Sequence, residues 1–72
     1  MIDKYFYIIF EHDKPIEVAS CVDYPQVPKG TRLVIFDMNV LLKEEMLKRV
    51  DEDEFPEELR DKTKSAINLF FR

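Results

Sequence analysis

The sequence predicts a small α+β domain of three strands followed by two helices, packed on one face of a small antiparallel or mixed sheet. Three observations predict it. Tyr5-Phe6-Tyr7-Ile8-Ile9-Phe10 is an unbroken apolar run of strand length. Asp23-Tyr24-Pro25-Gln26-Val27-Pro28-Lys29-Gly30 holds two of the four prolines and the only glycine, and so divides the chain into two parts. Beyond Asn39 the apolar residues recur at helical spacing, in two stretches divided by the acidic run around Phe55-Pro56.

The apolar run organises the rest. Alternate side chains of a strand point to opposite faces, so Tyr5, Tyr7 and Ile9 share one side and Phe6, Ile8 and Phe10 the other. A strand apolar on both faces belongs inside a structure with material on each side. His12-Asp13-Lys14-Pro15 has turn composition, and Ile16 to Val22 reads as a second, less apolar strand, which makes the first two strands a β-hairpin. With the turn centred on Asp13-Lys14, His12 faces Pro15 and Cys21 faces Phe6. Arg32 to Phe36 is a third strand, ended by Asp37-Met38-Asn39. Val34, Phe36, Met38, Val40 and Leu42 also alternate, so this strand could run on to Leu42. Asn39 as a cap, with Leu42, Met46 and Val50 four apart, favours a helix start near Asn39.

The first helix is broken before Pro56, because the residue preceding proline is pushed out of the helical region. Glu57 and Glu58 then suit the positive end of a second helix. Leu59, Thr63, Ala66, Ile67 and Phe70 fall on its apolar stripe, with Glu58 and Lys62 paired four apart on the wet side. Leu69 and Phe71 fall off the stripe, which implies either a helix buried on more than one side or a terminus that packs on something outside this chain.

Neighbours in sequence usually neighbour in space, which would leave the first strand at the rim of a meander. An apolar rim strand without charge or proline invites pairing with another chain. Either the third strand crosses over to lie beside the first, or a second copy covers the rim. The off-stripe Leu69 and Phe71 favour the second copy.

The 72 residues form a single domain, 1–72, of a size that buries only about 60% of the surface exposed by its unfolded chain. No apolar run reaches the roughly 18 residues of a spanning helix, and no signal-peptide pattern opens the chain, so a cytoplasmic location is expected and no membrane partner. The single cysteine agrees with a reducing compartment. A net charge of −4 argues against a grip on phosphate backbones, and Arg60, Lys62, Lys64 and Arg72 interleave with Glu57, Glu58 and Asp61. Nucleic acid is therefore disfavoured as a partner.

Chemistry-bearing groups are sparse. His12 and Cys21, the one base and the one thiol, would sit at opposite ends of the hairpin, roughly 20 Å apart, where a nucleophile and its base must approach within about 3 Å. A zinc site needs three or four ligands of kinds the chain has once each. The acidic run 51–58 places Phe55-Pro56 where a calcium loop needs a flexible centre. No catalytic, metal-ligating or cofactor-binding residue is assigned, and no small-molecule substrate is inferred.

The expected function is that of a non-catalytic, cytosolic protein–protein interaction module, homodimeric or bound to another protein. Its partner-contact candidates are Tyr5, Tyr7, Ile9, Leu69 and Phe71, and in the acidic segment Asp51, Glu52, Asp53 and Glu54. The alternative is a small acidic inhibitor or regulator, imitating nucleic acid, that docks residues 51–58 on a basic surface.

Overall fold

The computed structural model describes residues 2–52 and 55–71. Strands β1 (Tyr5–Glu11), β2 (Lys14–Cys21) and β3 (Arg32–Asp37) form one sheet in the order β2-β1-β3, followed by helices α1 (Lys43–Val50) and α2 (Glu57–Phe70). Both neighbours run antiparallel to β1. The α+β class and the order of elements are as the sequence predicts, but β1 lies in the middle of the sheet and not at its rim. The competing arrangement wins because a central strand pairs its backbone on both sides, which keeps the longest apolar run of the chain off the rim.

Central placement forces the connection between β2 and β3 across a face of β1. Strand β2 ends where Cys21 lies beside Tyr5, and β3 begins where Arg32 lies beside Phe10, on the other side of β1. Residues 22–31 must therefore travel the length of β1 while crossing it. The helices take the face bearing Phe6, Ile8 and Phe10, which packs into one core with Phe36, Leu41, Met46, Val50, Leu59, Ala66 and Ile67. Burying each of the larger of these side chains stabilises the fold by about 1.5–3 kcal/mol. The crossover takes the opposite face, where the Tyr24 ring meets Tyr5 edge-on at a centroid distance of 5.6 Å. Tyr7 and Ile9 on that face are only 9% and 3% exposed.

The hairpin closes one residue earlier than expected. Glu11 pairs with Lys14, and His12 and Asp13 form a two-residue turn with φ of 51° and 62°. Left-handed backbone at both turn positions matches the right-handed twist of the strands, and Asp and His tolerate it better than most residues. The register then slips, because Phe10 faces Pro15 while Ile9 faces Glu17, leaving Ile16 as the extra residue of a bulge. The slip brings Cys21 opposite Tyr5, not Phe6.

Helix α1 begins at Lys43 and not near Asn39. The reason is Asp37, whose carboxylate Oδ1 accepts the Asn39 N–H at 2.9 Å and whose carbonyl accepts the N–H groups of Val40 and Leu41 at 3.1 and 2.9 Å. That turn ends β3 and uses Asn39's neighbourhood before a helix can start. The carboxylate of Glu45 reaches back to the Leu42 N–H at 3.3 Å and steadies the helix start there. Leu42 is exposed, while Met46 and Val50 are buried as the spacing predicts.

In α2, Leu59, Thr63, Ala66 and Ile67 are buried. Phe70, expected in the core stripe, is 41% exposed although its ring still touches Phe6 at 4.8 Å. Phe71, expected off the stripe, packs on Phe6 at 5.0 Å, because the helix ends at Phe70 and Phe71 leaves the helical conformation. The expected Glu58–Lys62 pair is not made. Arg32 Nη1 holds Glu58 at 2.9 Å, and Lys62 donates to the carbonyl of Asp13.

Thr63 is fully buried, and its hydroxyl has no hydrogen-bond partner among the described residues. Mutational data put the cost of such a group at about 1–3 kcal/mol. Thr63→Val keeps the shape and removes the hydroxyl, so it should stabilise the protein by about 1 kcal/mol, which in a domain of this size raises the melting temperature by about 4–8 °C. Thermal unfolding followed by circular dichroism checks this; a lower melting temperature would show that the hydroxyl is satisfied.

Candidate functional site

The topology leaves two open sheet edges, and they are built differently. Which backbone groups point outward is set by one hydrogen bond. The Met38 N–H donates to the Lys4 carbonyl at 2.8 Å, one step beyond the pairing of Tyr5 with Asp37. Hydrogen-bonded pairs alternate along an antiparallel ladder, so Phe36, Val34 and Arg32 bond to Phe6, Ile8 and Phe10. The odd-numbered residues Leu33, Ile35 and Asp37 then turn their amides away from the sheet. By the same alternation β1 bonds β2 through Tyr5, Tyr7 and Ile9, and Val18 and Ser20 face outward on the far rim.

Strand β2 carries Lys14, Pro15 and the bulge at Ile16, which are devices that discourage pairing at an edge. Strand β3 has none of these between Leu33 and Phe36. Its edge opens onto a groove of about 570 Å³ between the strand and the junction of the two helices, floored by Val34, Phe36, Leu41 and Leu59 and walled by Phe55 and Pro56. The charged groups of its lining are Arg32, Arg49, Asp37 and Glu52, two cations against two carboxylates. A second groove of about 590 Å³ lies between β2 and α2, lined by Val18, Ala66, Leu69 and Phe70 with Asp61 and Lys62 beside them.

The partner-contact candidates read from the sequence divide accordingly. Tyr7 and Ile9 are covered by the chain itself and Tyr5 is half-buried against Tyr24, which leaves no open surface at the two buried ones. Phe71 is part of the core's margin. Leu69 is 62% exposed, on the second groove. In the acidic segment, Asp51 pairs with Lys64 at 2.9 Å, and the Glu52 carbonyl accepts from Arg60 at 3.3 Å. Asp53 and Glu54 lie outside the described residues. Glu58, at the other end of the run, is held by Arg32, which keeps its carboxyl below the usual carboxylate range. Two carboxylates of the segment are thus engaged by cations of the same chain, which weakens its case as a free negative face.

Leu33, Ile35 and Asp37 were not among the candidates, because the order of the strands was open. A signal was present in the contrast between Lys14-Pro15, which marks β2 as a rim, and the unprotected Leu33-Val34-Ile35-Phe36.

The reactive groups stay apart. His12 is in the turn, and Cys21 sits at the far end of the hairpin beside Tyr5. Burial, with Asp3 and Asp23 nearby, pushes the Cys21 thiol up, away from the thiolate a nucleophile needs. Its Sγ donates to the Asp23 carbonyl at 2.9 Å. Among the described residues no three His, Cys, Asp or Glu side chains gather as a metal site would require, and no helix is long and apolar enough to cross a membrane. Comparison with protein-family models, curated proteins and solved structures finds no match to this chain.

One titration is specific to the crossover face. The Tyr7 hydroxyl donates to the Glu17 carboxylate, and this bond, with burial and the carboxylate's charge, pushes the phenol up to about 12 from its ordinary 10. A raised phenol pKa means that the folded state holds the proton more tightly than the unfolded chain, so its contribution is complete below pH 10 and is lost as pH rises through 12. Glu17→Gln should bring the highest phenolate transition in the ultraviolet titration back toward 10, and should flatten the fall in melting temperature between those pH values. An unchanged transition in the variant would show that the Glu17 contact is not what holds the proton.

Proposed function

We propose that this chain is a non-catalytic protein-interaction module that binds an extended segment of its partner along the free edge of β3. The reading is carried by one observation: an apolar strand whose outward amides at Leu33, Ile35 and Asp37 lie beside an open groove, with no proline, bulge or lysine to discourage pairing. In strand addition the backbone bonds give affinity, and the pockets under alternate side chains give selectivity. Here a partner's side chains on the helix side would enter the groove over Val34, Phe36 and Leu59, between rims of both signs. A non-catalytic role is supported by the raised Cys21 thiol and its separation from His12.

The alternation of β3 gives a test that separates edge from fold. The Ile35 N–H points outward, so Ile35→Pro removes a donor that the monomer does not use, whereas Val34→Pro removes one that bonds Ile8. Ile35→Pro should stay folded, and Val34→Pro should lose about 3 kcal/mol or unfold. Eight-residue peptides with alternating apolar residues, displayed as a library, should yield binders to the parent that fail on Ile35→Pro and slow amide exchange at Leu33, Ile35 and Asp37. Binders that ignore the substitution and leave those amides unchanged would place the recognition surface elsewhere.

A further inference from the structure

Resting on that strand-edge reading, we infer that the segment added to β3 is the β3 strand of a second copy, paired antiparallel about a two-fold axis at Val34. The unsatisfied groups select this register. The Asp37 carbonyl is already engaged by the N–H groups of Val40 and Leu41, and the Thr31 N–H by the carbonyl of Pro28. What β3 still offers is the N–H and C=O of Leu33 and Ile35, the N–H of Asp37 and, with the same parity one step before the strand, the C=O of Thr31.

With the axis at Val34, Leu33 of one copy exchanges both bonds with Ile35 of the other. The Asp37 N–H then meets the other copy's Thr31 carbonyl, and the two groups already in use face each other. An axis at Ile35 would instead set the Asp37 carbonyl, which already holds two donors, against Leu33. Side chains agree with the first register. On the crossover face Leu33 lies across from Ile35, whereas the other axis opposes Leu33 to Asp37 there; on the helix face Val34 lies across from Val34, with Arg32 across from Phe36. Apolar pairs directly opposite one another support an antiparallel ladder, and a carboxylate opposite leucine does not.

Charge supports the same occupant. A chain with net charge −4 repels its copy over most approaches, but the lining of the β3 groove is balanced, with Arg32 and Arg49 against Asp37 and Glu52. The two-fold stands perpendicular to the joined sheet and brings the same rim of each copy together, so that Arg49 of one can meet Glu52 of the other and the reverse. The β2 edge is a poorer choice for a copy, since Pro15 has no N–H and the bulge at Ile16 breaks the ladder.

Sedimentation equilibrium across a wide concentration range, amide exchange and a cross-link test this together. The parent should dimerise, with slowed exchange at Leu33, Ile35 and Asp37 that appears as the dimer forms, and Ile35→Pro should be a folded monomer. Val34→Cys in a Cys21→Ser background should oxidise to a covalent dimer, because residues opposite one another in a non-hydrogen-bonded antiparallel pair come close enough for a disulfide. If Ile35→Pro fails to fold, the parent's exchange and the cross-link decide alone. A parent that stays monomeric, but whose Leu33, Ile35 and Asp37 amides are protected by an added peptide copying residues 31–38, overturns the second copy and leaves strand addition standing. A monomer that ignores this peptide overturns the self-pairing outright, and if it also yields no library binder, the edge reading falls with it. A dimer whose three amides exchange freely, or one that does not cross-link at Val34, overturns the β3 interface or its register.

Discussion

Backbone pairing on both sides of β1 is the constraint on which the other elements depend. A strand with Phe6, Ile8 and Phe10 on one face and Tyr5, Tyr7 and Ile9 on the other needs cover above and below as well as partners left and right. A hairpin supplies only one partner. The second must arrive on the far side, and the sole route is a connection that crosses a face. The crossing therefore serves two ends, since it brings β3 into place and lays Tyr24 against Tyr5 on the face that the helices leave bare. With that face occupied, α1 and α2 both go to the Phe6 side, and their burial pattern is set by the Phe6-Ile8-Phe10 row and Phe36.

Much of this was legible in the residues, and the departures share a cause. Period-two and period-four patterns reveal elements because they depend on side chains within one segment. They placed all three strands and both helices, and they named Leu59, Thr63, Ala66, Ile67, Met46 and Val50 correctly as buried. What they missed depends on groups distant in sequence or on hydrogen bonds that carry no period. The third strand ends at Asp37 as expected, but the carboxylate and carbonyl of Asp37 absorb Asn39, a good cap in isolation, into a turn and delay the helix start to Lys43. Arg32 takes Glu58 away from Lys62 across 26 residues. Phe70 and Phe71 exchange roles because the helix stops between them. The candidate site suffered in the same way, since an edge is a property of strand order, to which the contrast between Lys14-Pro15 and the unprotected Leu33-Val34-Ile35-Phe36 is the one local pointer.

The charged residues are arranged with a similar economy. Arg32 lies near both Asp13 in the hairpin turn and Glu58 at the start of α2, and Lys62 reaches the Asp13 carbonyl from the same helix. These exposed contacts add little stability individually. Together they tie the turn, the start of β3 and the first turns of α2, the three places where chain segments far apart in sequence meet. Asp51 with Lys64 and the Glu52 carbonyl with Arg60 do the same between the end of α1 and the middle of α2. The acidic stretch is in this light part of the helix junction, with the Asp51 carboxylate and the Glu52 carbonyl held by cations of α2.

The difference between the two edges has a consequence for assembly. A sheet with two open, apolar edges has no reason to stop growing, because each added copy presents a fresh edge equal to the one it covered. A sheet with both edges blunted stays alone. This chain blunts one edge, with Lys14, Pro15 and the bulge at Ile16, and leaves the other plain. Joined through β3 about a two-fold, two copies make a six-stranded antiparallel sheet whose outer rims are both β2, so the devices that guard one strand in the monomer close the whole assembly at two. The hazard of the apolar run of β1 as an edge is removed by topology, and pairing of the proposed kind would confine the lesser hazard of β3 to a single event.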